Sequence, residues 1–138
     1  MVTVFDVQPG KLIEKAADEL EKMGIEKPEF VSYVKSGSHT ERRPEQPNFW
    51  YIRMASLLRQ AYTTPTIGVN RLRTHYGGKK DRGRKPSKHR DAGGAIIRRG
   101  LQELEKQGFV KKAKTGRVIT GKGKKFLDNI AKQIAEGQ

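Results

Sequence analysis

Within residues 71–125 this chain of 138 residues carries 19 Lys and Arg against 4 Asp and Glu, whereas the rest of it carries 10 against 11. That lopsided distribution limits the fold more than any other feature, because ionised side chains are almost never fully buried unless paired. The core must come from apolar residues spaced along a nearly neutral scaffold. The cationic stretch must lie where water or a polyanion can reach it. A net charge of +14 points to nucleic acid first and an acidic membrane surface second. No apolar run approaches the roughly 20 residues of a membrane span, no secretory leader is evident, and no cysteine is present. A soluble intracellular protein is expected.

The apolar residues fall in helical periods. Leu12, Ile13, Ala16, Ala17, Leu20 and Met23 predict a helix over about 9–23, opened by Pro9 and closed by Gly24. Glu14, Asp18, Glu19 and Glu21 give it an acidic outer face. Phe30, Val31, Tyr33 and Val34 form a short packed segment, helical or extended, and residues 36–47 form a polar connector. Trp50, Met54, Leu57, Leu58 and Ala61 predict a central helix over about 49–62, capped by Asn48 and ended by Pro65. A third helix over about 67–76 turns Val69, Leu72 and Tyr76 inward and stops at Gly77-Gly78.

Residues 79–90 (KKDRGRKPSKHR) have no apolar period and read as an extended, mobile loop. Asp91 is placed to cap a fourth helix built on Ile97, Leu101 and Leu104 and stopped by Gly108. Two β-prone runs, 109–112 and 117–120, flank a four-residue loop with a glycine and predict a hairpin. A last helix uses Phe126, Leu127, Ile130, Ala131 and Ile134. The order is that of a mainly α, winged-helix-like domain with a small β-hairpin wing. Residues 1–138 are read as one domain, with N-terminal helices over about 9–62 and a winged-helix part over about 66–136. The 79–90 insertion is a departure, since a helix-turn-helix joins its pair through roughly 3–4 residues.

That insertion is the leading binding element. Lys79, Lys80, Arg82, Arg84, Lys85, Lys88 and Arg90 face only Asp81 in opposition, and phosphates would relieve their repulsion. Arg71 and Arg73 before it, and Arg98 and Arg99 after it, extend the same field. A solvated run or a localisation signal is the plainer reading. Arg98 and Arg99 lie where a recognition helix would, with an ion pair to Glu103 as the alternative. The wing carries Lys111, Lys112, Lys114 and Arg117, suited to phosphate contacts that position without reading sequence. Arg53 and Arg59 project from the central helix, either to pair with a carboxylate or helix end, or to meet RNA. Trp50 and Tyr51 could stack on a base, but Trp50 falls in the core stripe.

No catalytic arrangement is visible. The run from Gly116 to Lys122 imitates a phosphate-binding loop, yet Gly123 stands where its magnesium-ligating Ser or Thr belongs. His39, His75 and His89 are isolated, without metal-ligand spacing. No cofactor, metal or small-molecule substrate is expected.

The run from Phe49 to Ser56 (FWYIRMAS), the stretch IGVNRLRTHYGGKKDRGRKPSKH, the segment IIRRGLQELEKQGFV and the closing TGKGKKFLDNIA resemble the S-nineteen-e family of small-subunit ribosomal proteins. The initial FDV and PEFVSYVK fit it too, so the resemblance spans essentially the whole chain. It implies a winged-helix protein of the small-subunit head, archaeal or eukaryotic in type, cytoplasmic and ribosome-associated. It also implies a role in subunit assembly or rRNA maturation. By this resemblance Arg53, Arg59, Arg98 and Arg99 form a functional surface and the 79–90 loop meets rRNA. Neighbouring ribosomal proteins are further partners, and a monomer is expected outside the ribosome. The alternative from residues alone is a DNA-binding winged-helix regulator, which would dimerise on a short palindrome.

Overall fold

The computed structural model describes residues 2–25, 27–32, 35–38, 40 and 48–137. Tyr33, Val34, His39 and most of the connector at 41–47 lie outside the described residues. The element order is α1 (Pro9–Lys22), α2 (Phe49–Thr63), α3 (Val69–Tyr76), β1 (Gly78–Arg82), β2 (Lys85–Arg90), α4 (Gly94–Lys106), β3 (Val110–Ala113), β4 (Gly116–Ile119) and α5 (Gly121–Glu136). Short 3-10 turns occupy Val4–Asp6 and Glu29–Ser32.

The core follows from the apolar periods. Leu12, Ala16, Ala17 and Leu20 of α1 are buried, and the two alanines let that helix lie close to α2. Trp50, Met54, Leu57 and Leu58 make α2 the central element. Helix α4 crosses it at Gly100, where a Cβ would come within 2.7 Å of Leu57 Cδ1. Ile96, Ile97, Leu101 and Leu104 of α4 and Leu127, Ile130 and Ala131 of α5 complete one apolar cluster. No charged or polar residue among those described is buried as a whole. The mainly helical, winged-helix-like architecture is the one the sequence implied. No helix among the described residues is long and apolar enough to cross a membrane.

The wing is tied into this body. Phe109 and Val110 are buried at its base, and the Phe109 and Phe126 rings pack 4.8 Å apart. Thr120 joins three elements: its hydroxyl donates toward the Gly108 and Phe109 carbonyls at 2.6 and 3.0 Å, and accepts from the Gly123 amide at the start of α5. On its other edge the wing pairs with the linker before α3, through Ile67 N to Arg117 O at 2.9 Å and Arg117 N to Ile67 O at 2.8 Å.

Three local expectations are corrected. Helix α3 begins at Val69 and not at Ile67, because the Ile67 backbone is committed to the wing. Gly93, not Asp91, occupies the N-cap of α4; the Asp91 carboxylate instead meets His89 Nε2 at 3.3 Å and Thr74 Oγ1 at 3.4 Å. Asn48 does precede α2, but its side chain makes no capping bond. The largest correction concerns 79–90, described next.

Candidate nucleic-acid interface

The basic insertion is an antiparallel hairpin, not a loop. Gly78 faces Arg90, Lys79 faces His89, Lys80 faces Lys88 and Arg82 faces Lys85, with an irregularity between Lys80 and Arg82. Gly83 and Arg84 make the turn. Gly83 has φ +74° and Arg84 does not have a positive φ, the pattern of a type II′ hairpin turn, which favours glycine first. The Asp81 carboxylate accepts the Gly83 amide at 2.9 Å, and Arg82 Nε donates to the Pro86 carbonyl at 2.8 Å. The ordering force is therefore turn chemistry and the ladder, not an apolar face.

Its base is fixed to the body. Ala92, two residues past the end of β2, is buried; its amide donates to the Arg73 carbonyl at 2.8 Å, and its carbonyl accepts Arg73 Nε at 2.9 Å. Gly37 bridges to Ala92, and the Gly93 amide donates to Ser36 O at 2.8 Å. Gly77 is required for clearance: a Cβ there would overlap the Arg90 carbonyl oxygen. Arg73, read from the sequence as a contact residue, braces the hairpin.

The remaining candidate cations divide by environment. Arg71, Lys79, Arg84, Lys85, Lys88, Arg90, Arg98, Lys111, Lys112 and Lys114 are exposed, while Lys80 and Arg82 are half-buried. Arg99, also exposed, lays its guanidinium 4.7 Å from the Phe30 ring centroid. Arg117 is the one candidate matched to a carboxylate among the described residues, its Nε 3.5 Å from Glu105 Oε2. The alternative pairing of Arg98 or Arg99 with Glu103 does not occur among the described residues; Glu103 accepts from Gln107.

Arg53 and Arg59 line the polar edge of α2 where α3 packs near it. Arg53 stacks 4.0 Å from the Tyr76 ring centroid and 5.2 Å from that of Phe49. Desolvation lowers its pKa, with the neighbouring Tyr76 acting in the opposite sense. Burial raises the Tyr76 pKa, opposed by the Ser56 hydrogen bond at 2.6 Å and by the two arginines. Arg59 Nε is buried with no hydrogen-bond partner among the described residues. Neither arginine pairs with a carboxylate of α1 among the described residues, which leaves the carboxylate half of the structural alternative without support. Trp50 is core, which withdraws it from a stacking role, and the Tyr51 hydroxyl donates to the Ile25 carbonyl at 2.5 Å.

Two residues have structural roles that the sequence did not assign to them. Gly77 sets the hairpin's clearance, and its only signal is the Gly77-Gly78 pair between a helix and a basic run. Lys122 reaches the Gln107 carbonyl at 2.9 Å and lies 5.4 Å from the Phe109 ring, closing the end of α4. No group of three potential metal ligands occurs among the described residues.

Fold and site together define a winged-helix-like protein whose helix pair is separated by a basic hairpin fastened at its base, and whose candidate cations mostly lack carboxylate partners among the described residues. Residues 3–137 match the family model described as Ribosomal protein S19e. The chain belongs to that family, which is one of ribosomal proteins and not of enzymes. It is similar to small ribosomal subunit protein eS19 of Aeropyrum pernix, at 39% identity over 99% of this chain and 92% of that one. It is likewise similar to eS19A of Saccharomyces cerevisiae, at 42% identity over 98% and 96% of the two chains. The eS19 of Haloarcula marismortui is 40% identical over 95% and 90%.

Proposed function

We propose that this chain is a structural constituent of the small ribosomal subunit that docks on folded rRNA through the β1–β2 hairpin, α4 and the wing. The observation that carries this is the state of the hairpin. Lys79, Lys80, Arg82, Arg84, Lys85, Lys88 and Arg90 share one ordered ribbon, and its single carboxylate, Asp81, is engaged in the turn. A ribbon of that kind gains most when phosphates replace its counterions. Arg71, Arg98, Lys111, Lys112 and Lys114 continue the cationic field on flanking elements. Arg53 and Arg59 offer a second, half-buried guanidinium pair without carboxylates.

The mechanism is positional. Neutralising phosphates where rRNA helices approach fixes their relative placement, and so supports subunit assembly and rRNA maturation in the subunit head. Neighbouring ribosomal proteins complete the environment. Outside the ribosome the chain is a monomer, and its working location is the cytoplasmic ribosome. If about 6–10 phosphates are engaged, isolated rRNA affinity falls roughly 10³–10⁵-fold between 50 and 200 mM salt. The test is the triple charge reversal of Arg82, Arg84 and Lys85 to Glu. The expected result is an unchanged helical spectrum with lost co-sedimentation on the small subunit. Wild-type sedimentation and affinity in that variant would overturn the hairpin's role.

A further inference from the structure

The pairing register sorts the hairpin's charges. Residues facing each other across an antiparallel ladder share a face, and faces alternate along each strand. Lys80 with Lys88 and Arg90 opposite Gly78 therefore lie on one face, and the irregularity between Lys80 and Arg82, which sets two β2 residues against Asp81, brings Lys85 opposite Arg82 on that same face. Lys79 with His89, and Asp81, lie on the reverse. Exposure follows the same alternation along β1: Gly78, Lys80 and Arg82 are half-buried while Lys79 and Asp81 are exposed. One face thus carries five cations and no carboxylate, and the other carries one lysine beside a histidine and an aspartate.

We propose that the five-cation face is the seat of one run of sugar-phosphate backbone lying lengthwise along the ribbon, bound by charge and not by base edges. This rests on the rRNA reading above and specifies its contact. Successive rungs on one face are about 6.6–6.8 Å apart, a step comparable to that between neighbouring phosphates on a polynucleotide strand. Two of the three rungs offer cations from both strands to one phosphate, and the Gly78–Arg90 rung offers one. Arg82 is held by its Nε bond to the Pro86 carbonyl, so its guanidinium is placed before any partner arrives. The base is locked through Arg73, Gly77 and Ala92, which fixes where this face points. Directly opposed Lys80 and Lys88 destabilise the free hairpin, and a phosphate between them removes that penalty.

Two matched charge reversals on adjacent rungs test this in the full-length protein, with transcribed full-length small-subunit rRNA as the probe. Lys88→Glu acts on the cationic face and Lys79→Glu on the reverse, and each places an acid opposite a basic partner, so neither should unravel the ribbon. Lys88→Glu is expected to weaken binding about ten-fold or more, and to make the log–log salt slope shallower by about 0.7–0.9 per phosphate released. Lys79→Glu, which removes charge from the ribbon but no contact from the phosphate run, is expected to change the slope by less than half as much. Equal losses in the two variants, or no loss in either, would overturn the facial assignment while salt-dependent wild-type binding kept the broader reading intact. Wild-type protein whose rRNA binding ignores salt would instead sink the reading on which this rests.

Discussion

The β1–β2 hairpin and the β3–β4 wing are both short antiparallel pairs on the same body, yet they are held by different forces. The wing grows out of the core: Phe109 and Val110 are buried, Thr120 bonds into two neighbouring elements, and the Ile67 backbone adds a third strand's worth of pairing. The β1–β2 hairpin buries no residue, and every position of β2 is exposed. It is fastened only at its base, and its turn is held by Asp81 and Gly83. A two-stranded hairpin without an apolar face is marginal in water. The wing is thus part of what folds the protein, whereas the basic ribbon is carried by the fold, and on the proposed reading rRNA would stabilise it.

Substitutions sharpen that contrast, beginning with the largest effect. Phe109→Ala should cost about 3–5 kcal/mol in chemical denaturation, since it empties a buried ring site beneath the wing. No alanine substitution in β1 or β2 should approach that value. The same glycine substitution then separates the two bases. At Gly123, beside the wing, an added Cβ would overlap the Phe109 carbonyl oxygen and meet Ile119 Cγ1 at 2.8 Å. Gly123→Ala should lower global stability by about 1–3 kcal/mol. Gly77→Ala also collides with a carbonyl oxygen, but the ribbon can shift alone. Its melting temperature should barely change while rRNA affinity drops. Equal melting losses at the two sites would erase the distinction.

Smaller effects follow. Thr120→Ala should cost about 0.5–2 kcal/mol, through loss of the α5 cap and its bonds to the end of α4. The smallest is read from pH. Tyr62 of α2 donates to Asp128 of α5 at 2.8 Å, and burial, then that carboxylate, push its pKa up to about 12. A phenol raised above its unfolded value near 10 stabilises the fold fully below pH 10, and that contribution fades as pH climbs through 12. Tyr62→Phe should flatten the alkaline limb of a melting-temperature profile between those values. An unchanged limb would remove Tyr62 from the account.

The two hairpins also explain which parts of the fold were legible in the sequence. The wing could be read because Phe109, Val110, Val118 and Ile119 supply an apolar β signal around a glycine loop. The ribbon could not, since KKDRGRKPSKHR contains no apolar residue to alternate. Its one structural cue is Gly83-Arg84, which demands a particular turn only once the flanking strands are known. Helices α1, α2, α4 and α5 were legible for the same reason as the wing: their buried faces repeat at three- and four-residue steps. The start of α3 was not, because a distant backbone pairing with Arg117 claims Ile67. Among the candidate contacts, charge density marked the cationic segment as a whole. It could not separate exposed Lys88 from Arg73, whose Nε is spent on Ala92, or from Arg117, which faces Glu105.

A map of the small ribosomal subunit containing this chain is the most direct measurement. The account predicts Lys80, Arg82, Lys85, Lys88 and Arg90 within hydrogen-bonding distance of consecutive rRNA phosphates, with Lys79 and His89 turned away from them. A hairpin whose five-cation face opens to solvent, or rests on a protein neighbour instead of RNA, would contradict it.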